Sequence, residues 1–341
     1  MQKIIFLGTD LHGEPSELAA KLVNDLSKEI KNSKKLSIQH RKILRFQEKT
    51  IIIPKILRNE YLRKLIQGIL LPVYLIFLRL RYNKLFSFWT VGGKYGKYHR
   101  RILRLLKLLG YETIFTVISG YDRDYSALKF CDKIICQSEK MKKHLSENIS
   151  NKDIMVIYPW TDLKIFKPLK KKNTLLIPSI PYKTKDFKER GIDKIIKILK
   201  NEEIKSKIIF RSNESHAFFK SLNLKNSFFI NKFLNDKELS KIMGISKIIP
   251  LIYPSNAPDM PLSAIEGMAC GCAIICTKDM GLADIIKKEK CGIIVNSEKD
   301  LIKAIKKILK SPKYYYKNAR KTSEKYFDKN NNIEKYMQLI K

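Results

Sequence analysis

The residues best suited to chemistry lie between Tyr253 and Val295, in YPSNAPDMPLSAIEGMACGCAIICTKDMGLADIIKKEKCGIIV. An apolar run ends at Ile252, and Pro254, Pro258 and Pro261 mark a loop after it. The pattern then predicts a helix from about Leu262, closed by Gly271, and a buried strand over Ala273–Cys276. The start of a helix leaves backbone N–H groups without intrahelical partners, and the macrodipole adds positive potential there. The stretch Met260, Pro261, Leu262 and Ser263 is therefore a candidate phosphate-binding helix terminus. Glu266 follows one turn further in. Its two acceptor oxygens suit a vicinal diol, such as a ribose 2′,3′ pair. Surrounded by Ala264, Ile265, Met268 and Ala269, it is not placed like an ordinary exposed helix residue. The six cysteines (131, 136, 270, 272, 276 and 291) contain no CxxC pair. They read as reduced structural thiols, and no metal site is expected.

The elements around this stretch alternate. Strands are expected near 4–7, 50–53, 85–88, 113–117, 133–136 and 154–157, and again near 174–177, 207–210, 227–230, 248–252, 273–276 and 292–295. Helical periodicities lie between them, for example at 16–30, 191–199, 236–243 and 301–309. Such repetition predicts an α/β fold of parallel sheets covered on both faces. A chain of 341 residues exceeds what one core usually organises, so two doubly wound domains facing a crevice are expected. The break falls in VIYPWTDLKIFKPLKKKN, where Pro159, Pro168 and three consecutive lysines end the periodicity. The expected domains are 1–165, 166–315 and a helical return over 316–341 toward the first domain.

Charge is the unusual feature of the composition. Lys and Arg number 68 against 33 Asp and Glu, a net charge of +35, shared about evenly on either side of Pro168. Solvated Lys-rich helix faces explain such an excess, and so does an anionic partner such as a membrane surface. A nucleic-acid binder is disfavoured, because no aromatic-basic platform or known reading module is present. The N-terminal apolar run of four residues is too short for a secretory signal, so a cytoplasmic location is expected.

Residues 62–82, LRKLIQGILLPVYLIFLRLRY, depart from the alternation. Their apolar stretch, Ile69 to Leu78, is too short for a bilayer, and Pro72 would kink a helix there. Two readings stay open: a helix buried in the first domain, or an interfacial segment on the inner face of the cytoplasmic membrane.

The segment Glu266-Gly267-Met268-Ala269-Cys270-Gly271 resembles the donor-binding motif of glycosyltransferase family 4, the group 1 glycosyl transferases of GT-B fold. Other patches resemble the same family in the same order: CDKIICQSEKMKKHL, VIYPWTDLKIFKP, FLNDKELSKIM, and the Asn318–Arg320 and Tyr326-Phe327 pairings. The pattern also departs from the family. Pro258 stands where a first Glu is expected, with Asp259 as the adjacent acid. Pro178-Ser179 replaces Gly-Arg, and the later Lys-Gly appears as Arg190-Gly191. Arg211 follows the next strand. Where a His is common in the first domain, Ile118 and Ser119 stand.

The resemblance implies two Rossmann-like domains and a retaining, metal-independent, hexosyl-type transferase that needs no cofactor beyond a nucleotide-diphosphate sugar. The acceptor would be a hydroxyl of a glycan or lipid-linked cell-envelope precursor. Arg190, Arg211 and Lys185 would meet charge on the leaving diphosphate, with Asp259 as the remaining carboxylate. His12 and Gly13 would lie in the acceptor-side loop. A degenerate member that binds sugar nucleotide or glycan without turnover is the alternative. Another enzyme of the same fold, phosphorylase or epimerase-like, is a further one, though no pyridoxal lysine can be placed.

Overall fold

A computed structural model describes residues 3–9, 18–38, 50–53, 60–88, 96–118, 121, 124–149, 152–254 and 257–339. The chain divides into two compact units. Unit 1 holds Met1–Pro159 and Asn332–Lys341, and unit 2 holds Trp160–Asn331.

Among the described residues, unit 1 has seven strands: β1 Ile4–Thr9, β2 Ser33–Ile38, β3 Thr50–Ile53, β4 Lys84–Phe88, β5 Glu112–Thr116, β6 Lys133–Cys136 and β7 Ile154–Val156. They form one parallel sheet ordered β3-β2-β1-β4-β5-β6-β7. Its helices are α1 Leu18–Glu29, α2 Glu60–Arg79, α3 Gly96–Leu108 and α4 Glu139–Asn148. Ile4 to Leu7 are all fully buried, as a strand covered on both faces requires. β2 is absent from the expected strands. SKKLSI has too few apolar residues to show a period, and Lys35 is buried with its ammonium donating to Asn24 Oδ1 at 2.8 Å.

Unit 2 contains β8 Leu175–Ile177, β9 Ser206–Ile209, β10 Ser227–Ile230, β11 Ile248–Leu251, β12 Ala273–Thr277 and β13 Gly292–Val295. Its helices are α5 Ile192–Asn201, α6 Asn213–Ser221, α7 Asp236–Ile245, α8 Leu262–Ala269, α9 Ala283–Glu289, α10 Glu298–Lys310 and α11 Pro312–Tyr326. The last helix, α12 Lys329–Gln338, runs across the division. The parallel order β10-β9-β8-β11-β12-β13 is the doubly wound order 3-2-1-4-5-6, reversing direction between β8 and β11. The expected α/β class, with two Rossmann-like doubly wound domains, is what the structure has.

The division differs in place from the expected 1–165, 166–315 and 316–341. Residues 160–165 belong with unit 2 because their backbone is bonded there. Thr161 N donates to Phe327 O at 3.0 Å, and Ser240 Oγ donates to Ile165 O at 2.6 Å. α11 packs against α8 and stays in unit 2. Only from Asn332 does the chain return to unit 1. There Tyr336 is buried beside Phe86, its hydroxyl 3.3 Å from Thr116 Oγ1, and Lys84 Nζ donates to Leu339 O at 3.2 Å.

Of residues 62–82, 62–79 lie in the helix α2, whose inner face enters the unit 1 core through Leu71 and Leu75, both fully buried, and 80–82 turn out of it. No helix among the described residues is long and apolar enough to cross a membrane.

Candidate functional site

In a doubly wound sheet the loops at the carboxyl ends of the strands converge where the strand order reverses. In unit 2 these are the loops after β8, β9 and β11, on neighbouring strands. They carry Lys185, Arg190, Arg211, Asp259, Met260 and Pro261, and the loop after β11 leads directly to Leu262, Ser263 and Glu266 in α8.

The loop after β11 leads into α8. Pro261 occupies the N-cap position and has no side-chain acceptor to occupy the first-turn amides. Its carbonyl accepts from Ala264 N at 3.0 Å, so Leu262 and Ser263 open the helix with their amides beyond the intrahelical ladder. All three residues are half-buried, and Met260 before them is buried. One turn in, Glu266 is only 4% exposed. A carboxylate this enclosed, one turn past the helix start, can accept hydrogen bonds from a ligand's hydroxyls. Asp259 is equally enclosed at 4%, and its carbonyl accepts from Leu282 N at 3.1 Å.

The far end of α8 is anchored. Gly271, at φ +74°, closes it: Gly271 N donates to Met268 O at 2.8 Å and Cys272 N to Gly267 O at 2.7 Å. This paired closure needs a left-handed residue, which glycine supplies. Two cations add to it. Lys171 Nζ donates to Cys270 O and Ser246 O, each at 2.7 Å, and Arg320 Nη1 donates to Ala269 O at 2.8 Å. Positive charge at the carboxyl end complements the macrodipole.

The loop after β8 carries Lys185 and Arg190, both exposed. Gly191 holds it in place. Its φ is +62°, and a Cβ there would run into the carbonyl of Ile252 at the end of β11. That close approach sets Arg190 against the start of the loop after β11, its guanidinium carbon 5.5 Å from the Tyr253 ring centroid. Lys185 is positioned by its neighbour. Thr184 donates to Glu214 Oε1 from its amide at 2.9 Å and from its hydroxyl at 3.1 Å. Those bonds, the amide's first, hold the Glu214 carboxyl below its ordinary value. Ser212 Oγ, also in the loop after β9, donates to Tyr182 O at 2.6 Å. Arg211 is exposed in that same loop, so it neighbours the Lys185 segment.

Pro178 and Ser179, at the place of the family's Gly-Arg, are buried and half-buried. His12, Gly13 and Ser119 lie outside the described residues. All six cysteines are buried free thiols; burial pushes Cys131 and Cys270 up to about 12 and Cys291 to about 11. Lys171, Arg320, Glu214 and Tyr253 act in the site without having been singled out from the sequence for these contacts. Their partners are distant in the chain, and only the tripeptide around Arg320 carried a signal.

Residues 162–326 match the family model for glycosyl transferases group 1. An uncharacterized glycosyltransferase of Methanocaldococcus jannaschii is 27% identical over 203 residues, 57% of this chain and 55% of the relative. The match thus spans about half the length of that curated relative. Among solved structures, a sucrose-phosphate synthase from Thermosynechococcus elongatus superposes with a TM-score of 0.76 at 16% identity, covering 99% of this chain and 98% of the other. HepE of Anabaena, solved in complex with UDP, gives 0.75 at 12% identity, covering 99% of each chain. Identities this low speak to the fold. Residues 162–326, nearly the whole of unit 2, are thus similar to glycosyl transferases group 1, in a chain that takes the GT-B fold over its length.

Proposed function

We propose that this chain is a retaining, metal-independent glycosyltransferase of hexosyl type. It moves a sugar from a nucleotide-diphosphate sugar to a hydroxyl of a cell-envelope glycolipid or polysaccharide precursor, in the cytoplasm at the inner face of the membrane. Glu266 carries the reading: a 4%-exposed carboxylate one turn inside the helix start at the reversal point of the unit 2 sheet. Amides for a diphosphate and an acceptor for hydroxyls there match the two chemistries of a sugar nucleotide. HepE, a structural relative, is solved with UDP-glucose as well as UDP, which supports a donor of this class.

The barrier is rupture of the anomeric C–O bond, which leaves an oxocarbenium-like sugar and a nucleoside diphosphate. Arg190, Arg211, Lys185 and the α8 amides stabilise charge growing on the diphosphate. The acceptor oxygen forms the new C–O bond from the face the diphosphate leaves, and its proton passes to a diphosphate oxygen. That route gives retention without a covalent carboxylate. The route through a glycosyl-enzyme would use Asp259. The protein's remaining work is alignment of donor and acceptor.

Pro258 and the Pro178-Ser179 pair favour a second reading, binding of a sugar nucleotide without turnover. A thermal-shift panel of UDP-, GDP-, ADP- and CMP-sugars, combined with an assay of nucleoside diphosphate release, separates the two. Stabilisation with release supports transfer, and stabilisation without release or transfer to any offered glycan supports the second reading. No stabilisation by any sugar nucleotide overturns both.

A further inference from the structure

α2 is apolar on two sides. At about 100° per residue, Leu71, Leu75 and Leu78 face one way, into the unit 1 core. Ile69, Val73, Ile76 and Phe77 face almost the opposite way, Leu80 follows them in the turn after the helix, and all five are exposed, Phe77 by 68% and Leu80 by 87%. α3 packs beside α2, and Arg79 Nε ties the two by donating to Leu109 O at 2.6 Å. At the end of α3, Leu108 is 86% exposed. An isolated exposed leucine is ordinary, but a continuous stripe of this length on a chain's outer face marks an interaction surface.

The charge around it is one-sided. From Tyr61 to Tyr111 eleven residues are Lys or Arg and none is Asp or Glu, although the chain as a whole has one acid for about every two bases. Arg81 follows the stripe, and Arg101 and Arg104 share a face of α3 with Leu108; all three are exposed. Even division of charge between the halves of the chain thus conceals a local segment of pure positive sign.

We infer that the outer face of α2 and α3 is a docking surface for an anionic lipid bilayer, with the stripe in the acyl boundary and the arginines among the headgroups. The inference deepens the reading above, on which its link to an acceptor rests, while the surface itself stands on these residues alone. A second copy of the chain would bring like charges together across the stripe. A nucleic acid would use the arginines and leave five large apolar side chains in water.

The test is flotation of the full chain with vesicles of zwitterionic lipid alone, or of that lipid with anionic phosphatidylglycerol. The protein is expected to float with the anionic vesicles only, and to be released by high salt. Phe77→Glu/Leu80→Glu and Arg81→Glu/Arg101→Glu should each weaken partitioning about tenfold or more. These positions are exposed, so circular dichroism of both variants should match the parent. Donor stabilisation, measured separately, should be unchanged, so that failure of the surface and failure of the transferase reading are distinct results. A protein that stays soluble with anionic vesicles at low salt overturns the inference. So does equal flotation of parent and both variants, or a lipid-free dimer that either variant dissociates.

Discussion

Arg320 Nη1 lies 2.8 Å from the carbonyl oxygen of Ala269 and 2.8 Å from that of Phe166. One guanidinium thus joins the last turn of the helix that carries Glu266 to the segment where the chain enters unit 2. Replacing it by Ala strands two carbonyls and removes charge-assisted bonds, so Arg320→Ala should cost about 2–3 kcal/mol in chemical denaturation. Arg320→Lys should recover less than half, because an ammonium cannot reproduce the fork. A loss below about 0.5 kcal/mol for the Ala variant would show that the contact contributes nothing to stability.

Gly191 is the next point of control. Gly191→Ala puts a Cβ against the Ile252 carbonyl in a backbone region that L side chains avoid. The loop must move, at an expected cost of about 2–4 kcal/mol. Since Arg190 moves with the loop, donor affinity should fall even at temperatures where the variant is fully folded. Thermal melts with and without the nucleotide sugar read both effects. A variant that melts with the parent and binds donor equally would remove Gly191 from the account.

Acid should loosen the Lys185 loop. The Glu214 carboxyl sits below its ordinary value because Thr184 bonds to its ionised form. A depressed folded pKa means that the stabilisation is full above the ordinary carboxylate range and is lost as pH falls through the folded value. Hydrogen exchange at the Thr184 amide should therefore be slow at neutral pH and lose protection at the acid end. In Glu214→Gln protection should start lower and change little with pH, once intrinsic exchange rates are divided out. Parallel behaviour of parent and variant would assign the protection elsewhere.

Much of the fold was legible in the residues. Thr50–Ile53, Lys133–Cys136, Ser227–Ile230 and Gly292–Val295 stand in the structure with the bounds their apolar runs announce; Ile134 to Cys136 are all buried, and burial on both faces leaves such a continuous signature. Ser33–Ile38 was hidden, since a hydrogen bond to Asn24 makes burial of Lys35 tolerable and no periodicity records that. Glu266 was legible because a carboxylate flanked by Ala, Ile and Met breaks the rule for exposed helix positions. Lys171, Glu214 and Tyr253 were not, because each acts on a residue remote in sequence. In α2 the periodicity showed an apolar helix and could not tell one buried face from two apolar ones. Only the exposure of Phe77 and Leu80 separates them.

The central claim is that a sugar nucleotide sits at the start of α8 with Glu266 accepting from its hydroxyls. Calorimetric titration of parent and Glu266→Gln, with whichever sugar nucleotide raises the parent's melting temperature, tests it most directly. The amide keeps the shape and loses charge-assisted acceptors, so affinity should fall by about 1.5–3 kcal/mol, roughly 10- to 150-fold. Unchanged affinity in a folded Glu266→Gln protein would contradict the claim.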